Sequence, residues 1–581
     1  VKPRLPAPVA VALVALLAHV PALGADFTFD DHAIVEQNPR LSVHGLRDVV
    51  ELAASNYWGP AAERSGERLF RPLPLLTYAA ERALAPGPAL PHAINVLLHA
   101  LTALAALALF RQIVRHEGGA LLGALIFAAH PLHAEAVAGV VGRAEILALL
   151  FSLVALERAG KGSLLAGPAF FLALASKESA VAALATALVR ALLERSGSWR
   201  GLAAMAVALA VYVGVRAWAL GALLPGVSAH TLGDMPLSGR ALVALAVYRD
   251  SWKAVLLPFG GTTAHYPYPR TDAAALLAAV LVQVACAFVF AAGAGSRRRA
   301  LALGVAGFEL ALLPVSNLVP IGVVFAERLL YTPSAWASLA VGASVGPLIR
   351  SERARALAAL AVGLLALGQA RNDMTWHDEL TLWERTRVRF PEETLPKLHL
   401  AEVRLAMGDT QGAAFLLDQT VAEFPDTQPL KAKASALLGL ALMKIDRPHS
   451  DAALARAVRL GPMNPRVFET VASVRYAEGA YKDALEAAER AAALAPDGYD
   501  GWRFMGLAQL ELRDYAAARD SFTRAASVAA APGEAILNRA VAREKLGDRR
   551  GALEDYATAD RLIGRPEVHE LHERKLAELG R

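Results

Sequence analysis

The chain has 581 residues, 55% of them hydrophobic and 19% charged, with a mean hydropathy of +0.37. A chain so apolar and so poor in charge is not a wholly cytosolic enzyme, since soluble domains carry nearer 25% charged residues. Its net charge of +5 is unevenly placed: residues 371–581 hold 30 Lys+Arg against 33 Asp+Glu, so the whole basic excess lies before them. That excess reads as loop charge in a membrane protein. No cluster resembles a phosphate-tracking patch with a reading element, so nucleic acid is not an expected partner. The single cysteine, Cys286, excludes an intrachain disulfide and any CxxC metal site.

Apolar stretches recur at 7–25, 90–110, 119–133, 145–156, 164–175, 179–193, 201–220, 273–292, 300–316, 331–349 and 355–370. The first follows Lys2 and Arg4 and reads as an anchor, because ten more apolar segments follow it. The stretches 145–156 and 164–175 need flanking residues to cross about 30 Å of hydrocarbon. Basic residues cluster at alternate ends: Arg111 and Arg115, Arg158 and Lys161, Arg195 and Arg200, Arg297 to 299, and Arg350, Arg353 and Arg355. The positive-inside rule makes those ends cytoplasmic. The N-terminus is then inside, and large outer loops run over 26–89 and 221–271. Closing the count requires 241–258 to be a re-entrant or interfacial hairpin. The sum is about eleven spans in residues 1–370, several of them long enough by themselves to cross a bilayer.

Residues 371–394 read as a linking helix. Beyond them Ala484, Ala518 and Ala552 fall 34 residues apart, as do Pro462 and Pro496, with Pro532 close behind. A small residue where helices cross and a proline after the second helix is the tetratricopeptide pattern. Residues 465–498, 499–532 and 533–566 are clear repeats, 395–428 and 429–462 weaker ones, and 567–581 a polar cap. The repeats of 395–566 are an extracytoplasmic binding surface for secreted or nascent translocated polypeptide, or a device for stability or oligomerisation.

The outer loops carry ionisable residues that are costly near a membrane and are therefore site candidates. They are Asp30 and Asp31, Arg71, His133 and Glu135, Arg143 and Glu145, Lys177 and Glu178, and Glu327 and Arg328. An adjacent acid pair can take a proton from a hydroxyl, because like charges raise one pKa. Lys and Arg on facing helix ends can hold a phosphate leaving group. Together these suit transfer of a group from a lipid phosphate to an outside acceptor. His133, Glu135, Asp30 and Asp31 are competent metal ligands with no recognised metal spacing, so no metal site is assigned and a divalent ion stays open. No Walker, dinucleotide-binding or nucleophile-elbow motif is present.

FDDHAIVEQNP (29–39), RPLPLLTY (71–78), HAINVLLHAL (92–101), HPLHAEAVAGVVGRAEILA (130–148), SKES (176–179), AERLLYTPS (326–334) and RNDMTWHDELTLW (371–383) stand in this order. The set resembles the transmembrane, tetratricopeptide-repeat O-mannosyltransferases that act on cadherins, and their bacterial homologues. The resemblance implies an all-α protein: a polytopic bundle of the C-type glycosyltransferase (GT-C) kind, followed by a tetratricopeptide α-solenoid. It implies inverting, apparently metal-independent transfer of a hexose from a polyprenyl-phosphate donor to Ser or Thr. The acid of the first outer loop is then the general base: Asp31 is preferred by position, with Asp30 open. Lys177, Arg143, Arg328 and Arg71 are assigned to the donor phosphate, and His133, Glu135, Glu145, Glu178 and Glu327 to support or acceptor positioning. The relatives often place an acid before a tyrosine where this chain has His265 and Tyr266, so these two enter the acceptor or donor set. The Ala-, Gly- and Arg-rich composition looks bacterial. The expected setting is thus the inner membrane, with site and repeats facing the periplasm. No cofactor is expected, and the donor is undecaprenyl-phosphate mannose or another hexose. Two alternatives stay open: a lipid or cell-wall glycan as acceptor, and a non-enzymatic membrane scaffold or transporter.

Overall fold

The computed structural model describes residues 5–59, 68–195, 199–221, 232–233, 235–294, 298–529 and 531–579. Lys2, Arg4, Arg297, the last two residues of the cap and parts of both large outer loops lie outside these. All regular structure among the described residues is helical. The chain divides into two compact units, one closing at Phe390 and the other opening at Pro391.

In the first unit, four described helices are long and apolar enough to cross a membrane: Ala89–Ile113, Trp199–Leu220, Ala273–Ala294 and Glu352–Asp373. Glu117–Ala128 and Pro131–Val137, bent by 43°, make a fifth if counted as one broken span. This is fewer than the apolar stretches of the sequence. Ala7–Ala18 and Ala166–Ser176 are apolar but short, and prolines or charged residues divide other stretches. Ala273–Ala294 buries only Ala279 and Gly293, which leaves its apolar surface to lipid. The stretch 241–258 is not a hairpin. All but its last two residues lie in one continuous helix, Leu237–Leu256, whose interior has no proline and no glycine beyond its first turn.

Small residues let the helices approach. Between Glu117–Ala128 and Tyr331–Val345, a methyl group on Gly119 would stand 2.8 Å from the Gly342 carbonyl oxygen, and one on Gly123 2.8 Å from that of Ser338. Such crossings are how bundles pack where water provides no driving force. A separate apolar cluster forms in the segment after helix Ala7–Ala18, where Ile34, Leu41, Leu52 and Tyr57 pack with Leu75, Tyr78 and Val140. That cluster fixes the acidic turn preceding it.

Residues 371–390 of the segment read as a linking helix belong to the first unit, and 391–394 to the second. Asn372 Nδ2 donates to the Pro131 carbonyl (2.8 Å), the Asp26 N–H to the His377 carbonyl (2.8 Å), and Trp376 Nε1 to Thr262 Oγ1 (3.1 Å). Helix Glu379–Arg389 follows, capped by Asp378, whose carboxylate accepts the Thr381 N–H at 2.7 Å.

The second unit consists of helix pairs: Thr394–Ala406 with Thr410–Glu423, Pro429–Leu442 with Arg447–Leu460, Pro465–Ala477 with Tyr481–Leu494, Tyr499–Glu511 with Tyr515–Val528, and Gly533–Lys545 with Arg549–Ile563. A terminal helix, Pro566–Leu579, follows them. Ala484, Ala518 and Ala552 are fully buried at the crossings, where a larger side chain would hold the helices apart. Gly408, Gly479 and Gly547 turn the chain between paired helices with φ of 82°, 77° and 82°. Arg513 takes the same left-handed conformation, φ 64°, in the fourth pair.

Candidate active site

Phe29 begins the site. It holds a left-handed φ of 52°, a conformation that L-residues with large side chains rarely adopt. Its N–H is captured by Glu379 Oε1, and its ring meets Trp383 edge-on at 5.5 Å. Trp383 Nε1 in turn donates to Glu379 Oε2 (2.6 Å), and His32 Nε2 lies 3.3 Å from Glu379 Oε1. The segment after the last long helix therefore sets the twist that orients the two acids which follow.

That twist sends the acids to different surroundings. Asp31 is 1% exposed. Its carboxylate accepts backbone N–H groups from Thr28 (3.2 Å), Val140 (3.1 Å) and Val141 (2.8 Å). Burial pushes its pKa up to about 7, against the pull of those three donors. It ties the segment around Thr28 to the turn before Arg143. Asp30 remains partly accessible, its side chain 16% exposed, and its Oδ2 lies 2.9 Å from Arg328 Nη1.

Arg328 is shared. Its Nη1 is also 3.4 Å from Glu135 Oε1, and its backbone N–H donates to Glu135 Oε2 at 2.9 Å. On the facing elements Arg71 forms a two-pronged pair with Glu178, Nε to Oε2 at 3.0 Å and Nη2 to Oε1 at 2.6 Å, and its guanidinium lies 5.0 Å from the Tyr57 ring centre. Burial raises the Glu178 pKa, but Arg71 outweighs it and holds the carboxyl down at about 2. Lys177 Nζ pairs with Glu145 Oε1, and burial lowers the lysine below its usual range. Glu145 also lies within electrostatic reach of Arg71 and Arg328, so the three cations form one cluster.

Glu327, 3% exposed, is pushed up to about 8 by burial, against Tyr266 and Thr262 and with the help of the like charge on Glu135. Tyr266 packs against Phe325 (5.2 Å) and Phe390 (5.9 Å), with the Arg389 guanidinium 5.7 Å from its ring centre. His265 is half-buried, and its carbonyl accepts the Thr263 hydroxyl at 2.9 Å.

Two expected site residues are placed elsewhere. Arg143, expected on the donor phosphate, is fully buried. It donates to Asn95 Oδ1 (2.8 Å), Thr77 Oγ1 (3.0 Å) and the Pro91 carbonyl (2.9 Å), pairs with Glu81, and stacks 4.6 Å from the Tyr78 ring centre. A guanidinium so enclosed, with four of its five N–H groups engaged, is not exposed to a phosphate. His133 is also fully buried. Its Nε2 donates to Ser334 Oγ (2.8 Å), whose proton goes to the Tyr331 carbonyl (2.8 Å), and its ring packs among His99, Phe127 and Tyr331. Among the described residues, Asp30, Asp31, Glu135 and His133 do not bring three ligand atoms together.

The sequence reading missed Glu379, Trp376 and Trp383 as parts of the site, and Glu81 and Asn95 as the seat of Arg143. The available signal was RNDMTWHDELTLW, a run dense in aromatic and polar residues directly after an apolar helix.

The tetratricopeptide-repeat family model matches residues 397–427. Protein O-mannosyl-transferase TMTC1 of Homo sapiens is 35% identical over 137 residues, 23% of this chain and 15% of that protein. Protein O-mannosyl-transferase TMTC3 of Mus musculus is 35% identical over 136 residues, 23% of this chain and 14% of that one. Protein O-mannosyl-transferase F38B6.6 of Caenorhabditis elegans is 31% identical over 148 residues, covering 25% and 21%. The matched stretch is thus less than a quarter of each relative's length. Among solved structures, MamA superposes with a TM-score of 0.25 at 19% identity, over 32% of this chain and 96% of that one. YrrB, described as a TPR protein with an unusual peptide-binding site, gives 0.26 at 18%, over 33% and 98%. Over those stretches the chain is similar to protein O-mannosyl-transferases.

Proposed function

We propose that the cluster around Asp30 is the active centre of a membrane glycosyltransferase. It moves a hexose from a polyprenyl-phosphate donor to Ser or Thr of a protein held by the repeats. The observation that carries this reading is the pairing of a partly accessible carboxylate, Asp30, with a guanidinium, Arg328, 2.9 Å away, beside Arg71 and Lys177. An acid next to several cations is what a reaction needs when it takes a proton from one side and releases a phosphate on the other.

In the step, the acceptor hydroxyl oxygen bonds to the anomeric carbon as the bond from that carbon to the phosphate oxygen breaks. The hydroxyl proton passes to Asp30, and the polyprenyl phosphate leaves with its charge on Arg328, Arg71 and Lys177. Attack opposite the leaving group inverts the anomeric centre. Asp30 takes the role of base because the Asp31 carboxylate is sealed by three N–H donors. Arg143 drops out of the phosphate set, and Glu135 and Glu178 position Arg328 and Arg71. The donor as a mannose or other hexose on undecaprenyl phosphate, and the setting in a bacterial inner membrane with the site facing the periplasm, belong to the same proposal.

The test is glycopeptide mass spectrometry of exported proteins from wild-type cells and a deletion strain. Loss of a hexose on Ser or Thr peptides, restored by the wild-type chain and not by Asp30→Asn, is the expected result. Unchanged peptides together with altered envelope glycolipids would move the acceptor from protein to lipid or glycan.

A further inference from the structure

The end of the second unit carries a cluster unconnected with the transferase chemistry. Helix Arg549–Ile563 stops at Gly564, whose left-handed φ of 63° lets its N–H reach back to the Asp560 carbonyl. The chain then turns and starts helix Pro566–Leu579. His569 and His572 stand three residues apart on that helix and so share a face. Both point at Asp560: each Nδ1 lies 2.9 Å from the same oxygen, Oδ2.

Three donor atoms from two helices therefore converge, all within 4.8 Å of one another. Around a tetrahedral zinc ion, with bonds of about 2.0–2.2 Å, neighbouring ligand atoms sit roughly 3.3 Å apart. The two Oδ2 to Nδ1 spacings of 2.9 Å need only a few tenths of an ångström of adjustment. Side-chain exposures of 65% for His569, 18% for His572 and 15% for Asp560 leave one side open to entering solvent and a fourth ligand. Two imidazoles with one carboxylate favour zinc, nickel or copper over magnesium or calcium, which prefer all-oxygen sites.

The terminal helix has a use for such a staple. It contains no buried residue. Among the described residues Leu571 and Leu579 pack against the cluster of Ala540, Ala552 and Tyr556, and Lys575 pairs with Glu544 at 2.9 Å. We propose that Asp560, His569 and His572 bind a zinc-class divalent cation that fastens this terminal helix to the last repeat.

The test uses the full chain, tag-free and in detergent, stripped with a chelator and titrated with zinc chloride against a chromophoric competitor. Amide hydrogen exchange of residues 566–579 is followed in parallel. The expected result is one equivalent of zinc whose affinity falls at least tenfold in His569→Asn/His572→Asn, and slower exchange of 566–579 with zinc but not with magnesium chloride. Equal zinc affinity in wild type and variant overturns the site, as does equal slowing by magnesium. The single variant His569→Gln guards against misfolding: its metal-free unfolding transition should match the wild type while its zinc affinity still falls.

Discussion

Asp30 and Asp31 are adjacent, and their exchange for asparagine should have opposite consequences. Asp31→Asn keeps one oxygen where the carboxylate served three N–H donors, at 3.2, 3.1 and 2.8 Å. The new amide nitrogen must face at least one of those N–H groups, and a buried donor left without an acceptor costs about 1–3 kcal/mol. Removing a buried charge offsets part of that cost, so the net loss is about 1–2 kcal/mol. The unfolding midpoint should fall, while turnover per folded molecule stays within roughly tenfold of the wild type. Asp30→Asn gives up one contact to Arg328, which retains Glu135 at 3.4 Å and through its backbone. Its stability cost is therefore within about 1 kcal/mol. Turnover, however, loses the base and falls by about 10²–10⁴. The assay is hexose transfer from a synthetic polyprenyl-phosphate donor to a Ser/Thr peptide in detergent, normalised to folded protein by thermal unfolding. An inactive Asp31→Asn that unfolds like wild type, beside an active Asp30→Asn, would refute the assignment.

Arg143→Lys should destabilise by about 3–5 kcal/mol, since an ammonium cannot fork to Asn95, Thr77, Pro91 and Glu81 and leaves a buried acid poorly paired; yield and unfolding midpoint report it, and the folded remainder should keep the wild-type KM for donor. Glu327 holds its proton up to about 8 in the folded chain against an ordinary 4.5, so the folded state binds more protons between these values and stability falls as pH rises through them. Glu327→Gln should remove that decline, and the difference in unfolding midpoint between the two proteins, measured from pH 5 to 9, should grow with pH and level off above about 8. Arg513→Gly relieves a left-handed arginine where three sister turns carry glycine and should stabilise the repeats by about 1 kcal/mol, read as a rise in the unfolding transition of the full chain.

The 34-residue spacing of Ala484, Ala518 and Ala552 was legible because each repeat sets the same small residue at the same crossing. The polar cluster was legible because charge stands out in so apolar a chain. The division of labour inside it was not. Arg143 and Arg71 look alike in sequence, each beside an outer loop, and only the fold shows one enclosed by Glu81 and Asn95 and the other paired with Glu178. Asp30 and Asp31 are separated by a backbone twist at Phe29 that no composition rule announces. That twist is held from 350 positions away by Glu379, and a contact at such separation leaves no periodic trace. The helix Leu237–Leu256 was misjudged because the sequence reading demanded that its flanks lie on one side, a constraint of counting rather than of its residues.

Every cation of the cluster is already engaged by a carboxylate: Arg328 by Asp30 and Glu135, Arg71 by Glu178, Lys177 by Glu145. On the proposed assignment, a donor phosphate enters by exchange rather than by filling an open charge. The weakest hold is the one to lose first. Glu178 grips Arg71 with two short hydrogen bonds, whereas Arg328 meets Asp30 through one. A phosphodiester oxygen that takes Arg328 leaves Asp30 unpaired and beside a new negative charge. A carboxylate so released has an oxygen free to accept the hydroxyl of the acceptor. Donor binding thus prepares the base for the acceptor hydroxyl, and in the absence of donor the same salt bridge keeps the acid occupied.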